Sequence, residues 1–406
     1  MPAEIRPASV DEMGTFRQVA KRALIMPSSV APAWAIDSIK PEWTLCAFED
    51  GQLATSYAWW PLNMRLNGRS SPVAGITYVG THPAYRRKGH LRDIVSRHFE
   101  KMYEEGGMPI AALHASRASI YKRFGYAVVS LQNSYSVAPE RLVFCGAGGE
   151  HSSPDRLKEP ADGGREVIKD IYRRFCADRT GCIHRARPAW DAGALCPPPK
   201  DGALFRMVCD CSGAPEGYVI YTVKPEKGTD FRLNHRVVIR DIAWLSPAAY
   251  FSIWRHLSMM DTAGSIDWIR VPSDDPLPDL VCEPGDLNIK TRDGLMARIV
   301  DAAGALGSRG YDSDGSACFE LEDEICPWNR GRWLLDAEGG IAQAVRTEKK
   351  PEAGLSVQAL AMLVFGRISA TGAARTGLLN VFEPEALAAW DRLFATRHAA
   401  FCPDFF

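Results

Sequence analysis

Apolar and polar positions change rhythm along the chain. Leu45–Glu49 and Leu53–Trp60 are apolar or aromatic runs split by Asp50-Gly51, which predicts a tight hairpin. A second hairpin turns at Asn67-Gly68 and leads into Val73–Thr81. Leu91, Ile94, Val95, Phe99, Met102 and Tyr103 then follow a helical period, which predicts an amphipathic helix. A short apolar run, Pro109–Leu113, reads as a strand after it. Gly146–Gly164 is rich in Gly, Ser, Pro, Asp and Glu and reads as a connecting loop. Beyond it the α/β style repeats: Tyr218–Val223 and Arg236–Trp244 as strands, Pro247–Met260 as a helix, and the turn-rich run Pro272–Asp279 as a close. A third block starts near Leu287, where Leu295, Ile299, Val300, Ala303 and Leu306 share one helical face ended by Gly307 and Gly310. Val357–Phe365 and Pro384–Phe394 read as later helices. No repeat and no low-complexity segment interrupts this order.

At 406 residues the chain exceeds one hydrophobic core and predicts several domains, at roughly 100–200 residues each. A formal net charge of -1 supplies no field for nucleic acid or an acidic membrane surface. No apolar run approaches about 18 residues, so no membrane span is expected. The N-terminus lacks the basic start and apolar run of a signal peptide. The eleven cysteines are irregularly spaced and include no paired C-x-x-C, so we read them as mostly buried, reduced thiols in a cytoplasmic protein. No His, Cys and acidic set has metal-ligand spacing, and no metal is expected.

The chemistry concentrates in Val73–Tyr126. The strand Gly75-Ile-Thr-Tyr-Val-Gly-Thr81 is followed by His82-Pro83, then Arg86-Arg-Lys-Gly-His-Leu91, then the amphipathic helix. Free backbone N–H groups in a helix's first turn, with its dipole, bind phosphate. Gly89 permits close approach and the neighbouring cations add charge. Taken alone, this turn is equally a solvated charge run. The strand Pro109–Leu113 leads next to His114, Ala115-Ser116 and Ile120-Tyr-Lys-Arg-Phe-Gly-Tyr126. An imidazole has a pKa suited to a base, so His114 competes for that role with the bland reading of a packed histidine.

Strand, basic glycine turn, helix, strand, then a tyrosine ahead of Phe124-Gly-Tyr126 resembles the GCN5-related N-acetyltransferase fold. Val79–Leu91, Ile120–Tyr126, Gly217-Tyr-Val-Ile-Tyr221, Asp274-Asp-Pro-Leu277 and a terminal Phe narrow this to the enhanced intracellular survival (Eis) acetyltransferases, across nearly the whole chain. The resemblance implies a mixed α/β fold: two tandem acetyltransferase-like domains, 1–144 and 145–287, the second without a cofactor site, then a sterol-carrier-like domain, 288–406. It implies assembly as a homohexamer and transfer of acetyl from acetyl-CoA to an amine in a ternary complex.

Residue by residue, the resemblance implies that Val79, Gly80 and Thr81 line the acetyl group and pantetheine. Arg87, Lys88, Gly89, His90, Leu91 and Arg92 hold the pyrophosphate, and Ser116 and Arg117 contact the cofactor further along. Tyr121 is the implied general acid, since a phenol of pKa about 10 stays protonated until a thiolate forms beside it. The implied general base is the α-carboxylate of Phe406. Leu91 stands where the motif has Gly or Ala. Ser116-Arg-Ala-Ser119 replaces Ser-Glu-Gly-Gly, and Phe405 replaces an acidic residue, so negative charge is lost near the amine pocket. Aminoglycosides, polyamines, less charged amines and lysine side chains of a partner protein all remain open as acceptors. The competing class is an apolar-ligand or acyl-CoA binding protein with a vestigial transferase site.

Overall fold

The computed structural model describes residues 3–25, 36–145, 156–160, 162–198, 202–211, 213–226 and 234–406. Most of the connecting loop expected at 146–164 therefore lies outside the described residues. The chain opens with β1 (Glu4–Arg6), α1 (Met13–Ala23), β2 (Cys46–Glu49), β3 (Gln52–Leu66) and β4 (Arg69–Thr81). Both expected hairpins form. Asp50, Gly51, Asn67 and Gly68 take φ values of 48, 75, 46 and 90°, positive at both turn positions, which matches the right-handed twist of the strands they join. Next come α2 (His90–Glu105), β5 (Ile110–Leu113), α3 (Ala118–Lys122), β6 (Ala127–Val128) and β7 (Leu131–Val137). Ile94, Val95, Phe99 and Met102 are buried on α2 against Tyr57, Ile76, Ala111 and Leu113, as the helical period predicted, whereas Tyr103, read onto the same face, is exposed and stacks on Trp328.

The second stretch holds β8 (Leu157–Lys158), α4 (Arg165–Phe175), α5 (Arg187–Ala192), β9 (Ala203–Cys211), β10 (Ala214–Glu226), β11 (Asn234–Trp244), α6 (Pro247–Ser258), β12 (Ala263–Pro272), α7 (Leu277–Leu280), β13 (Lys290–Asp293) and β14 (Met296–Ile299). The third holds α8 (Ala302–Ser308), β15 (Gly315–Glu322), β16 (Gly331–Glu338), β17 (Ile341–Arg346), β18 (Ala353–Ser356), α9 (Val357–Val364), α10 (Ala370–Arg375), β19 (Leu379–Val381) and α11 (Leu387–Leu393).

Three sheets result, and two of them exchange strands. The first runs β1-β2-β3-β4-β5-β14-β6 and the second β13-β7-β12-β11-β10-β9-β8. The third runs β17-β16-β15-β18-β19. β7 thus leaves the first sheet for the second, and β14 returns from beyond residue 287 to lie between β5 and β6. The helix expected from Leu295 to Leu306 is consequently β14 followed by α8. β14 is buried on both faces: Leu295, Ala297 and Ile299 face the core of the third unit, and Met296 and Val300 that of the first. A strand buried on both faces shows no polar alternation, and its apolar residues coincided with a helical period.

Arg298, in the middle of β14, is fully buried. Its Nη2 donates to both oxygens of Asp323 at 2.7 Å, and its Nε to the Phe124 carbonyl at 3.0 Å. Asp323 also accepts from the backbone N–H groups of Ile325 and Cys326 and from Asn329 Nδ2. One ion pair therefore ties the third unit into the first sheet.

The reading of all eleven cysteines as thiols is corrected. Cys145 and Cys282, at sequence separation 137, form a disulfide. Spacing could not show this, because the pairing spans the whole second unit. Of the free cysteines, Cys196 is half-buried and the others are buried. Among the described residues no helix is long and apolar enough to cross a membrane.

Asp275 explains part of the Asp274-Asp-Pro-Leu277 motif. Its carboxylate accepts from Tyr135 on β7 at 3.0 Å, Tyr250 on α6 at 2.8 Å and the Leu277 N–H at 3.2 Å, and burial pushes its carboxyl up to about 7. The unfolded carboxyl titrates near 4, so over pH 4–7 the folded state binds more protons than the unfolded one. Stability from this group is complete below about pH 4 and is lost as pH rises through about 7. We expect Asp275→Asn to be more favourable at pH 8 than at pH 4. Three pKa units set a ceiling of about 4 kcal/mol on that difference, offset by a lost acceptor for the tyrosines. Denaturant unfolding of both proteins at the two pH values checks this, and a pH-independent difference would refute it.

Candidate active site

The site is built where β4 and β5 part. They run parallel through Val73↔Ile110, Ala74↔Ala111 and Gly75↔Ala112, and then the pairing stops. β4 continues to Thr81, so Ile76–Thr81 offers backbone groups on the side away from β3. A bulge sharpens the opening: the β3–β4 register shifts between Ser56 and Ala58, and Tyr78 takes a φ of 50°. Ser56 Oγ donates to the Tyr78 carbonyl at 2.9 Å and sits 3.2 Å from that of Gly80, fixing the bulged backbone from below. Of the residues expected to line the opening, Val79 and Thr81 are half-buried and Gly80 is buried. Gly80 packs so closely on α1 that a Cβ there would stand 2.6 Å from the Ala23 Cβ.

The basic turn precedes α2. Gly89 is its N-cap with φ 92°, and nothing lies within 4 Å of where a Cβ would be. The Arg92 N–H already donates to the Gly89 carbonyl at 2.8 Å, so the first turn is left with the N–H groups of His90 and Leu91 to offer a ligand. The neighbouring side chains divide. Arg87 and Arg92 are exposed and, among the described residues, have no ion-pair partner. Lys88 pairs with Glu49, and the buried His90 ring holds the other Glu49 oxygen at 3.1 Å. Leu91 packs into the core below. His90 and Leu91 can therefore offer a ligand only backbone N–H groups. Glu49, which no sequence pattern flagged, braces the turn from β2.

Ser116 and Arg117 are exposed after β5, and Arg117 opens α3. Tyr121 on α3 is half-buried beside Tyr126, ring centroids 5.8 Å apart. Burial pushes its phenol up to about 12, so it is protonated throughout the neutral range.

Phe405 and Phe406 lie beside the opening. A Cβ at Gly75 would stand 2.5 Å from Leu62 Cδ1 and 3.0 Å from Phe406 Cδ2, so glycine at the last paired position makes room for both side chains. His114, just past β5, has its ring 5.1 Å from that of Phe405 and 5.2 Å from that of Phe406. Burial, reinforced by the charges of Arg270 and Arg292, lowers this imidazole to about 4. His114 is therefore neutral at pH 7. No residue pattern links Phe406 to the end of this strand; only the family resemblance had assigned it to the first domain's site.

The arrangement matches known proteins along its full length. Models of the acetyltransferase (GNAT) domain match residues 4–129 and 181–299, and a sterol carrier protein domain matches 302–403. An uncharacterized N-acetyltransferase of Streptomyces avermitilis is 33% identical over 346 residues, 83% of this chain and 82% of that one. N-acetyltransferase Eis of Mycobacterium tuberculosis is 29% identical over 335 residues, 80% of this chain and 78% of its own. The chain belongs to the Eis family of GCN5-related N-acetyltransferases. It is an N-acetyltransferase with two GNAT domains and a sterol-carrier domain. The crystal structure of Eis1 from Mycobacterium abscessus agrees, with a TM-score of 0.84 at 26% identity, covering 99% of this chain and 100% of that one. A GCN5-related N-acetyltransferase from Anabaena variabilis shares the fold at a TM-score of 0.85 and 21% identity, covering 100% of both chains. As an Eis-family member, the chain pairs a parted β4–β5 edge with a glycine-opened helix N-terminus, both in its first GNAT domain.

Proposed function

We propose that the protein moves an acetyl group from acetyl-CoA to a primary amine, with Tyr121 as general acid and the Phe406 α-carboxylate as general base. The observation carrying this reading is the position of Phe406, against Gly75 where β4 and β5 separate. Acetyl-CoA, when bound, supplies the acetyl group as a thioester. Gly89, His90 and Leu91 would meet its pyrophosphate through backbone N–H groups, with Arg87 and Arg92 adding charge. The β4 edge at Val79–Thr81 would hold the pantetheine by strand-like hydrogen bonds and polarise the thioester carbonyl. Tyr121 would protonate the departing sulfur. The terminal carboxylate would take the amine's proton directly or through water.

The acceptor side favours an amine flanked by apolar surface over a polycation. Among the described residues, Phe405 is 70% exposed, and Arg270 and Arg292 bring positive charge to its neighbour His114. The same reading includes assembly as a homohexamer of 44.7 kDa subunits, which light scattering checks. The deciding experiment measures CoA release from acetyl-CoA with aminoglycosides, short polyamines, lysine peptides and aromatic amines. We expect turnover, fastest with the aromatic amines. Faster turnover of aminoglycosides would overturn the acceptor assignment, and acetyl-CoA binding without turnover of any amine would overturn the reaction.

A further inference from the structure

The second GNAT domain repeats the opening of the first but fills it differently. β11 and β12 are its parallel pair, joined by α6, as β4 and β5 are joined by α2. They pair from His235↔Ala263 to Ile239↔Trp268, and then part. A bulge again marks the place: Ile220 faces Asp241 and Tyr221 faces Ile239, leaving Arg240 out of register. Beyond it, groups from both strands hold the chain's own C-terminal segment. Arg270 on β12 donates through Nη1 to the Pro403 carbonyl at 2.9 Å. Asp241 on β11 accepts two hydrogen bonds from Arg185 and one from the Tyr218 hydroxyl at 2.7 Å. Arg185 Nε donates in turn to Asp404 Oδ1 at 2.8 Å, and the Tyr172 hydroxyl reaches Asp404 Oδ2 at 3.1 Å.

The contacts continue upstream. The Phe401 N–H donates to the Thr180 carbonyl at 2.8 Å. Gly181, at φ +98°, lies so close that a Cβ would stand 2.7 Å from the Phe401 oxygen. Asp274 accepts from the Ala399 N–H at 2.9 Å. Residues 399–404 are thus fixed by the second domain, and only Phe405 and Phe406 extend past the last anchor. Two residues span at most about 7 Å, so the anchor at Asp404 determines where the terminal carboxylate stands.

We infer that the second GNAT domain serves as the holder of the C-terminus, with Arg185 and Asp404 as positioning residues that set the Phe406 carboxylate in the first domain's site. This rests on the reading of that carboxylate as general base. On the same reading the tail takes up the opening that a cofactor would need there, as the expectation that this domain holds none requires.

Three variants of the full-length enzyme separate the ideas. One glycine added after Phe406 tests the base itself. Asp404→Asn keeps the shape of the anchor but weakens its grip. One glycine inserted between Asp404 and Phe405 leaves the anchor intact and shifts the terminus by one residue. With the best amine of the panel, we expect the inserted glycine and Asp404→Asn to lower kcat by about 10–100-fold, the cost of a misplaced catalytic group, with KM for acetyl-CoA unchanged. A merely structural loss would lower the active fraction or raise KM as well. Wild-type kcat in the insertion variant, or in a folded Asp404→Asn, would overturn the anchoring role. If Asp404→Asn fails to fold, the insertion variant decides alone. Full activity with glycine after Phe406 would remove the carboxylate as base, a different failure that leaves the anchoring contacts without this purpose.

Discussion

Tyr121→Phe is expected to lower kcat by roughly 10²–10⁴-fold, the usual contribution of a positioned general acid. KM for acetyl-CoA should stay near wild type. The geometry makes this a clean substitution. The phenol oxygen has no hydrogen bond with the described residues, so its loss leaves no protein group unpaired. The ring itself packs among Tyr126, Phe124 and their neighbours, which a phenylalanine serves equally. Steady-state kinetics with circular dichroism as a folding control checks this. A folded variant with near-normal kcat would remove Tyr121 from the mechanism.

Arg298→Ala is expected to destabilise the protein by about 3–5 kcal/mol, because it leaves Asp323 as a buried charge without its partner. The loss should be felt in two units at once, since Arg298 lies in the first sheet and Asp323 in the third unit. Arg298→Met with Asp323→Asn should recover part of it, because the double variant buries no net charge and keeps an acceptor for the Ile325 and Cys326 N–H groups. Denaturant midpoints of the single and double variants give the comparison. A single variant within about 1 kcal/mol of wild type would show that the pair contributes only as much as an exposed one.

Much of the first domain was legible because its signals are local. Asp50-Gly51 and Asn67-Gly68 declare their turns within two residues, and α2 shows its buried face over three turns. The basic turn at Arg86–Leu91 was visible for the same reason. The structure then divides its side chains by a contact that no local pattern carries: Glu49, from another element, takes Lys88 and His90. β14 was misread because burial on both faces erases the alternation that marks a strand. The hold on Asp404 was out of reach, since Arg185 lies 219 residues away along the chain. The bulge at Tyr78 left no trace either, because a tyrosine at positive φ is set by its surroundings and not by its own preference.

The exchange of β7 and β14 also fixes an order of events during synthesis. The first sheet lacks a strand between β5 and β6 until Ile299 has left the ribosome. At about 5–20 residues per second, the roughly 170 residues after Val128 keep it waiting for on the order of ten to thirty seconds. During that time β5 presents an open edge, the kind that recruits stray strands. The nascent chain should therefore depend on chaperones for longer than a lone GNAT domain does. Clones ending at residue 144 should yield aggregates instead of a small working transferase.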